Sequence, residues 1–453
     1  MKIIIVGAGS VGLRLAQMLA ASEHDVVLIE KDKARLDHVS SSLNIQTLLG
    51  DGCVPATLIN AGISTADYFI AVTNQDAFNV MACVTAKLLN ADTRRVARLR
   101  HTNYQNSHVS EESRDDLFEL IVNPAVAAAD YLHKVFQVPG ANEIVEFADG
   151  KLRVIALTIT AKSPVINRKL KSLDEYRENH PILIIAIDRA GKLIIPRATD
   201  KIRVGDIIYL VAPQEKTALL FELAGRPFHE GKSAIIWGGS AIGTQLAKSL
   251  EASGTHVKLI VNDTERAEEL AAQFDQTLVL HGSGTDQELL LSENINEIDA
   301  FISVTHNEEE NILAALLAKQ LGVGTGMALV NRETYLNIVP SIGVDVVVSS
   351  LTAAASKIFK HIQGDALVSD FSLRHQGATF LDIIATQELS WIGTQFKDLK
   401  LPDGILICGI VRADQVIVPR GVDQIEVGDR VIIFISKPAL KKVEKTLSLI
   451  QAQ

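Results

Sequence analysis

Residues 2–30 read KIIIVGAGSVGLRLAQMLAASEHDVVLIE. The apolar run Ile3 to Val6 predicts a strand buried on both faces. Gly7-Ala8-Gly9-Ser10-Val11-Gly12 follows at once and fits G-x-G-x-x-G. Leu13 to Ala20 continues as an amphipathic helix, and Asp25 to Ile29 predicts a second strand that delivers Glu30. In such a unit the first glycine permits a tight turn, the second lets backbone approach a pyrophosphate, and the third lets helix and strand pack closely. The helix N-terminus offers unpaired N–H groups to the phosphates. An acid about 20 residues on accepts from the ribose hydroxyls. A carboxylate there repels a 2′-phosphate, so Glu30 favours NAD(H) over NADP(H).

The same rhythm continues outward. Strands are expected at Asn44 to Leu49, Tyr68 to Val72 and Arg94 to Leu99, with helices at Ala56 to Ala61 and Asn79 to Leu89. Alternation of this kind implies a parallel sheet covered on both faces, with its ligand crevice at the carboxyl ends of the strands. Gly7, Glu30, Asp51, Thr73 and Arg98 all fall at such ends, with Asn74 beside Thr73. Asp51 is expected to reach the adenine or its ribose. Thr73 and Asn74 are expected to line the pyrophosphate or the distal ribose, and Arg98 to stack on adenine or meet phosphate. Each has a plainer role as well: turn former for Asp51, helix cap for Thr73 and Asn74, surface ion pair for Arg98.

His101 to Asp116 reads as a polar surface loop. Leu117 to Val122 reads as a strand, and Asn123-Pro124 opens an alanine-rich helix to Phe136. From about Glu143 to Gly225 the character changes. Strands are expected at Leu152 to Thr160, Ile182 to Asp188, Lys192 to Pro196 and Asp206 to Ala212, with helices only at Leu173 to Asn179 and Gln214 to Ala224. This is a small α+β unit.

Then the pattern restarts. Ser233 to Gly243 parallels Ile3 to Gly12, AFISVT at Ala300 parallels YFIAVT at Tyr68, and Asn311 parallels Asn79. Ile195-Pro196-Arg197 with Ile202 to Asp206 returns as Val418-Pro419-Arg420 with Ile425 to Asp429. The chain is therefore one two-unit module written twice. The fold class is α/β: two Rossmann-like parallel-sheet units, 1–140 and 231–363, each followed by a small α+β unit, 141–227 and 364–453. The copies differ where chemistry is expected. Gly9 corresponds to Ser240, Glu30 to Val261, Asp51 to Ser283, and Arg98 to Leu329 or nearby. The first copy reads as the NAD(H) site; the second is either empty or takes a less demanding nucleotide. Helix 124–136 and its partner at Leu351 to His361 carry small residues. They suit either a swapped or dimeric seam or ordinary packing within a unit.

Composition narrows the function. The 453 residues carry 47% hydrophobic and 22% charged side chains, enough core for several domains. A net charge of -10 with no basic run argues against nucleic acid and anionic lipid as partners. Three widely spaced cysteines, Cys53, Cys83 and Cys408, suggest neither a metal site nor a disulfide framework. The histidines form no triad or ligand spacing, so neither catalytic nor metal residues are expected. No stretch reaches the roughly 18–20 apolar residues that span a bilayer. A soluble intracellular protein is expected, meeting a membrane only through a partner.

Two function classes remain. An NAD-dependent oxidoreductase needs a companion domain that supplies an acid or base beside the nicotinamide, and the small units offer no such cluster. A ligand-sensing regulator needs only differential affinity between two shapes, which a duplicated sensor suits.

VGAGSVG with Glu30, GDGCVPATL, AVTNQDAFNVMAC and the paired P-R…D-x-I-x-V-G-D strings together carry a resemblance. The sequence resembles, over essentially its whole length, the regulatory subunits of bacterial Trk potassium-uptake systems, built from two tandem RCK (KTN plus TrkA-C) modules. The resemblance implies a cytoplasmic protein, peripheral on the cytoplasmic face of the inner membrane. It implies a homotetrameric ring docked on the membrane potassium-translocating subunit (TrkH or TrkG type). It implies NAD(H) as ligand, with ATP or ADP in some members, held at Gly7 to Val11, Glu30, Thr73, Asn74 and Arg98.

Overall fold

The computed structural model describes residues 1–22, 24–101, 116–173, 180–363, 378–387, 389–399, 401–436 and 439. The expected loop 101–116 and helix 173–179 fall almost wholly outside them.

The first unit runs β1 (Lys2–Val6), α1 (Ser10–Ala21), β2 (Asp25–Glu30), α2 (Lys33–Ser42), β3 (Gln46–Leu49), α3 (Pro55–Asn60), β4 (Tyr68–Ala71), α4 (Asp76–Leu89), β5 (Arg94–Arg98) and β6 (Leu120–Val122), ending in α5 (Pro124–Phe136). The six strands are parallel in the order β3-β2-β1-β4-β5-β6. Ile3, Ile4 and Ile5 are fully buried because β1 lies centrally with both faces covered. The order reverses between β1 and β4, so the crevice opens where the glycine turn meets Thr73.

The small unit follows with β7 (Glu143–Phe147), β8 (Leu152–Thr158), β9 (Leu183–Arg189), β10 (Lys192–Ile194), β11 (Ile207–Pro213) and α6 (Thr217–Ala224). Its antiparallel sheet has the order β10-β9-β11-β8-β7. The edge strand β7 escapes the sequence reading because a run as short as EIVEF carries too little alternation to declare itself. A tight turn over Gln214–Lys216 precedes α6, which stops at Gly225 in the left-handed region at φ 76°.

The second copy repeats the plan: β12 (Ser233–Trp237), α7 (Ala241–Ala252), β13 (His256–Val261), α8 (Thr264–Ala271), β14 (Leu278–His281), α9 (Gln287–Ser292), β15 (Ala300–Ser303), α10 (Glu308–Gln320), β16 (Thr325–Leu329), α11 (Glu333–Ile338), β17 (Val346–Val348) and α12 (Ser350–Gln363). Its sheet order, β14-β13-β12-β15-β16-β17, is that of the first copy. The last unit contributes β18 (Ala378–Ile384), β19 (Ile405–Arg412), β20 (Gln415–Ile417) and β21 (Arg430–Ser436), ordered β18-β21-β19-β20.

The two copies exchange helices. α5 leaves the first sheet and packs on α7, burying Ala128, Ala129, Leu132, Val135 and Phe136 in the core of the second Rossmann unit. α12 returns the exchange: it packs on α1 and buries Ala354, Ala355, Ile358, Phe359 and Ile362 in the first core. The seam is therefore a crossover within one chain, the first of the two packings that the small residues allowed. The small sheets share a core too, with Phe147 against Phe380 at 5.1 Å between ring centroids.

Candidate nucleotide site

The glycine turn sets the floor of the crevice. Gly7 has φ +106°, and a Cβ there meets Thr73 at 3.1 Å. A Cβ on Gly12 lands 1.9 Å from the Gly7 carbonyl oxygen, so the close approach of α1 to the turn requires glycine. Gly9 differs from both: a Cβ there meets nothing within 4 Å. It projects into open space, the volume a pyrophosphate needs. α1 begins after Gly9 with no side-chain cap and no acid in its first turn. Its first N–H groups and positive dipole end thus stay available to an anion.

Glu30 ends β2 at 7% exposure and lines the cavity. Its Oε2 accepts from Ala8 N at 2.7 Å, and Oε1 accepts from Lys31 N at 2.9 Å and Asp32 N at 3.0 Å. Three backbone donors hold the carboxylate still, and a carboxylate has acceptor capacity for about four. A ribose hydroxyl fits the remainder.

The opposite wall is tied together by Asn79. Its Oδ1 accepts from Thr73 N at 3.0 Å and Thr73 Oγ1 at 2.6 Å. Its Nδ2 donates to the carbonyl oxygens of Thr73 at 3.1 Å and Arg98 at 2.7 Å. Asn74 is held through its carbonyl by Arg100, and Asp76 accepts from the backbone N–H of Arg100 and His101 at 2.9 and 3.0 Å. The Arg98 side chain lines the cavity, and its Nε is buried with no hydrogen-bond partner. Burial first, and then the Arg100 charge, push the Arg98 guanidinium below its ordinary value. A guanidinium stays charged even so. An orphaned buried donor of this kind calls for an anion or a base acceptor.

The cavity brings together Gly7, Gly9, Ser10, Glu30, Thr73, Asn74 and Arg98. Ala8 contributes its N–H to Glu30, while Val11 is core at 1% exposure and Gly12 is packing. Asp51 does not line the cavity. One carboxylate oxygen accepts from Cys53 N at 2.8 Å and closes its own turn, the plainer of its two expected roles, while its neighbours Gly50 and Gly52 line the cavity. Sequence reasoning missed Lys31, Arg35, Gln75, Phe78 and Leu351 in the lining. Lys31 carries its ammonium 5.8 Å from the centroid of the Phe78 ring. Lys31, Arg35 and Arg98 make the walls cationic around a single acid, the balance that a diphosphate with a diol prefers. The Cys53 thiol is pushed up to about 11, by burial and then by Asp51, so it stays protonated. Among the described residues no group of three His, Cys, Asp or Glu side chains is placed to hold a metal.

The second crevice keeps the scaffold and changes the residues of the cradle. Asn311 repeats the knot, accepting from Thr305 N at 3.0 Å and donating to the Leu329 carbonyl at 3.0 Å. Ser240, in the Gly9 place, caps its own helix through Gly243 N at 3.4 Å and donates to the Val304 carbonyl at 2.9 Å. Arg266 donates from Nε to the Gly239 carbonyl at 3.2 Å, across the turn itself. Val261 is core, and Ser283 pairs with Thr285 at 2.8 Å.

Two family models match the chain in alternation: the TrkA-N domain at 3–113 and 234–350, and the TrkA-C domain at 154–225 and 384–448. The chain belongs to the TrkA family. It is 32% identical over 449 residues to the Trk system potassium uptake protein TrkA of Halomonas elongata, covering 98% of each chain. It is 32% identical to that of Vibrio alginolyticus with the same coverage. A TrkA homologue of Methanosarcina mazei is 30% identical over 98% of this chain and 99% of its own. Among solved structures, the GsuK RCK domain aligns over 99% of this chain and 95% of its own, with a TM-score of 0.57 at 18% identity. The GsuK channel bound to NAD aligns over 99% of this chain and 79% of its own, with a TM-score of 0.58 at 18% identity. These two share the fold. The TrkA relatives are named for potassium uptake rather than for a reaction. No helix of its described residues is long and apolar enough to cross a membrane.

Proposed function

We propose that the chain is the nucleotide-sensing subunit of a Trk potassium-uptake system and binds NAD(H) in the first crevice without transforming it. The observation that carries this reading is the open space at Gly9 beside the orphaned Arg98 Nε, with Glu30 fixed opposite. The contacts are Gly7, Gly9, Ser10, Glu30, Thr73, Asn74 and Arg98, with Asp51 towards the adenine or its ribose and Ala8, Val11 and Gly12 shaping the turn. ATP or ADP shares the diphosphate and ribose and competes for the same cradle. The second crevice carries Ser240 at the Gly9 place and Val261 at the Glu30 place, which supports one dinucleotide site per chain. The functional units are 1–140, 141–227, 231–363 and 364–453.

The partner is the membrane potassium-translocating subunit, of TrkH or TrkG type, reached from the cytoplasmic face of the inner membrane. The working form is a homotetrameric ring. Exposed apolar side chains at matching places in both copies support self-association: Ile59 (60% exposed) with Leu291 (49%), and Met81 (55%) with Leu313 (61%). A second copy of the chain covers them. The bound nucleotide sets the ring's shape, with a coupling of about 1–3 kcal/mol between nucleotide and transporter.

Calorimetric titration of the full chain with NADH tests the site. One NADH per chain, lost in Glu30→Ala, is expected; unchanged binding in that variant refutes the assignment. Co-purification with the membrane subunit, with and without nucleotide, tests the partner. A metabolite-dependent loss of NADH absorbance would instead mark an oxidoreductase.

A further inference from the structure

The first crevice is not built by the first half alone. Leu351, the second residue of α12, lines the same cavity as Gly9, Ser10 and Thr73, although it belongs to the second Rossmann unit. Its place is fixed from both sides. Behind it, Ala354, Ala355, Ile358 and Phe359 are buried in the first unit's core, and Leu351 packs against that cluster. Ahead of it, Asn331 of the second unit accepts through Oδ1 from Ser350 N at 3.1 Å, Ser350 Oγ at 3.0 Å and Ser349 Oγ at 3.3 Å. At the matching second position of α5 stands Ala125, a single methyl group. The larger aliphatic side chain is the one that lines the first crevice.

From this juxtaposition we infer that Leu351 is a ligand-contacting residue donated by the second half. Its side chain covers the bound dinucleotide and excludes water from the hydrogen bonds at the glycine turn. The inference rests on the NAD(H) reading above. Its consequence is that occupancy of the first crevice is felt at residues 349–351 and passes through Asn331 into the second sheet.

The test compares the full chain with Leu351→Ala and Leu351→Gln, titrated with NADH, while thermal melting of the ligand-free protein is followed in parallel. Leu351→Ala removes apolar contact and is expected to raise the Kd for NADH about fivefold to tenfold. Leu351→Gln keeps the volume, loses the apolar surface and is expected to weaken binding in the same direction. Ligand-free melting stays near that of the unaltered chain in both, since Leu351 is only partly buried. Equal NADH affinity in all three overturns the inference and leaves the nucleotide reading intact. Weaker binding that merely tracks a lower melting temperature in both variants also overturns it, in favour of a packing role. No NADH binding by the unaltered chain overturns both.

Discussion

The Asn79 amide donates to the Arg98 carbonyl at 2.7 Å, fastening the end of β5 to the loop after β4. The same side chain accepts twice from Thr73, and it is wholly buried. Asn311 makes the equivalent bond to Leu329 in the second copy, where Val261 stands in the place of Glu30. The knot therefore belongs to the fold of each crevice, and the ligand groups are laid on top of it.

Asn79→Ala leaves the Thr73 N–H and two carbonyls without this buried partner. The expected cost is about 2–3 kcal/mol of stability, by the usual penalty for buried unpaired groups. NADH binding weakens as well, because Thr73 and Arg98 lose their common anchor. Denaturant unfolding measures the first effect; a loss below about 0.5 kcal/mol, the range of ordinary surface changes, would mean that the loop finds other partners.

The two glycines of the turn separate folding from binding. Gly12→Ala drives a methyl group into the Gly7 carbonyl and is expected to destabilise the first unit by about 1–3 kcal/mol or more. Gly9→Ala meets no protein atom. It should fold and melt like the unaltered chain yet lose about tenfold or more in NADH affinity, since the methyl group occupies pyrophosphate space. Thermal melting and titration on both variants check the contrast, and equal NADH binding by Gly9→Ala would show that the pyrophosphate lies elsewhere.

Arg98 carries an unmet cost in the ligand-free protein, a buried Nε without a partner. Arg98→Met keeps the stem and removes the charge. Ligand-free stability is expected to hold or rise slightly, while NADH binding falls about tenfold or more, as for the loss of a charge-assisted hydrogen bond. A large loss of ligand-free stability would make Arg98 a structural residue instead.

The exchanged helix α5 carries a pH-sensitive contact. His133 Nδ1 lies 2.5 Å from Ser249 Oγ on α7, and burial holds the imidazole below its ordinary 6.5, opposed by Asp130. A lowered folded value means that the unfolded chain takes up the proton first. Stability is therefore full above about pH 6.5 and falls as pH drops through 6.5 towards the lower folded value. Melting curves from pH 8 to pH 5 should show a loss in the unaltered chain that is smaller in His133→Gln; parallel curves would remove His133 from the account.

The parallel sheet and the glycine turn were readable in the sequence because both rest on local rules. A central parallel strand is an apolar run such as Ile3 to Val6, and a turn that tolerates no Cβ must spell glycine. The helix exchange was not readable. Small residues such as Ala128 and Ala354 name no particular partner sheet, and both are buried in the other copy's core. Gly-Asp-Gly at a strand end reads both as a ligand loop and as a turn, and the turn is visible in the bond from the Cys53 N–H to the Asp51 carboxylate. Lys31, Phe78 and Leu351 carry no motif; side-chain direction and a chain segment some 300 residues distant bring them to the cavity.

The reciprocal insertion of α5 and α12 bears on how such a chain can be divided. Cut between 226 and 232, each fragment would own a helix shaped for a groove it lacks and a groove shaped for a helix it has lost. Two copies of one fragment can satisfy each other by the same insertion, turning an internal embrace into a symmetric pair. Dissecting the halves to weigh their ligands separately would thus weigh a different assembly, and the intact polypeptide is the smallest unit in which the first crevice keeps both of its walls.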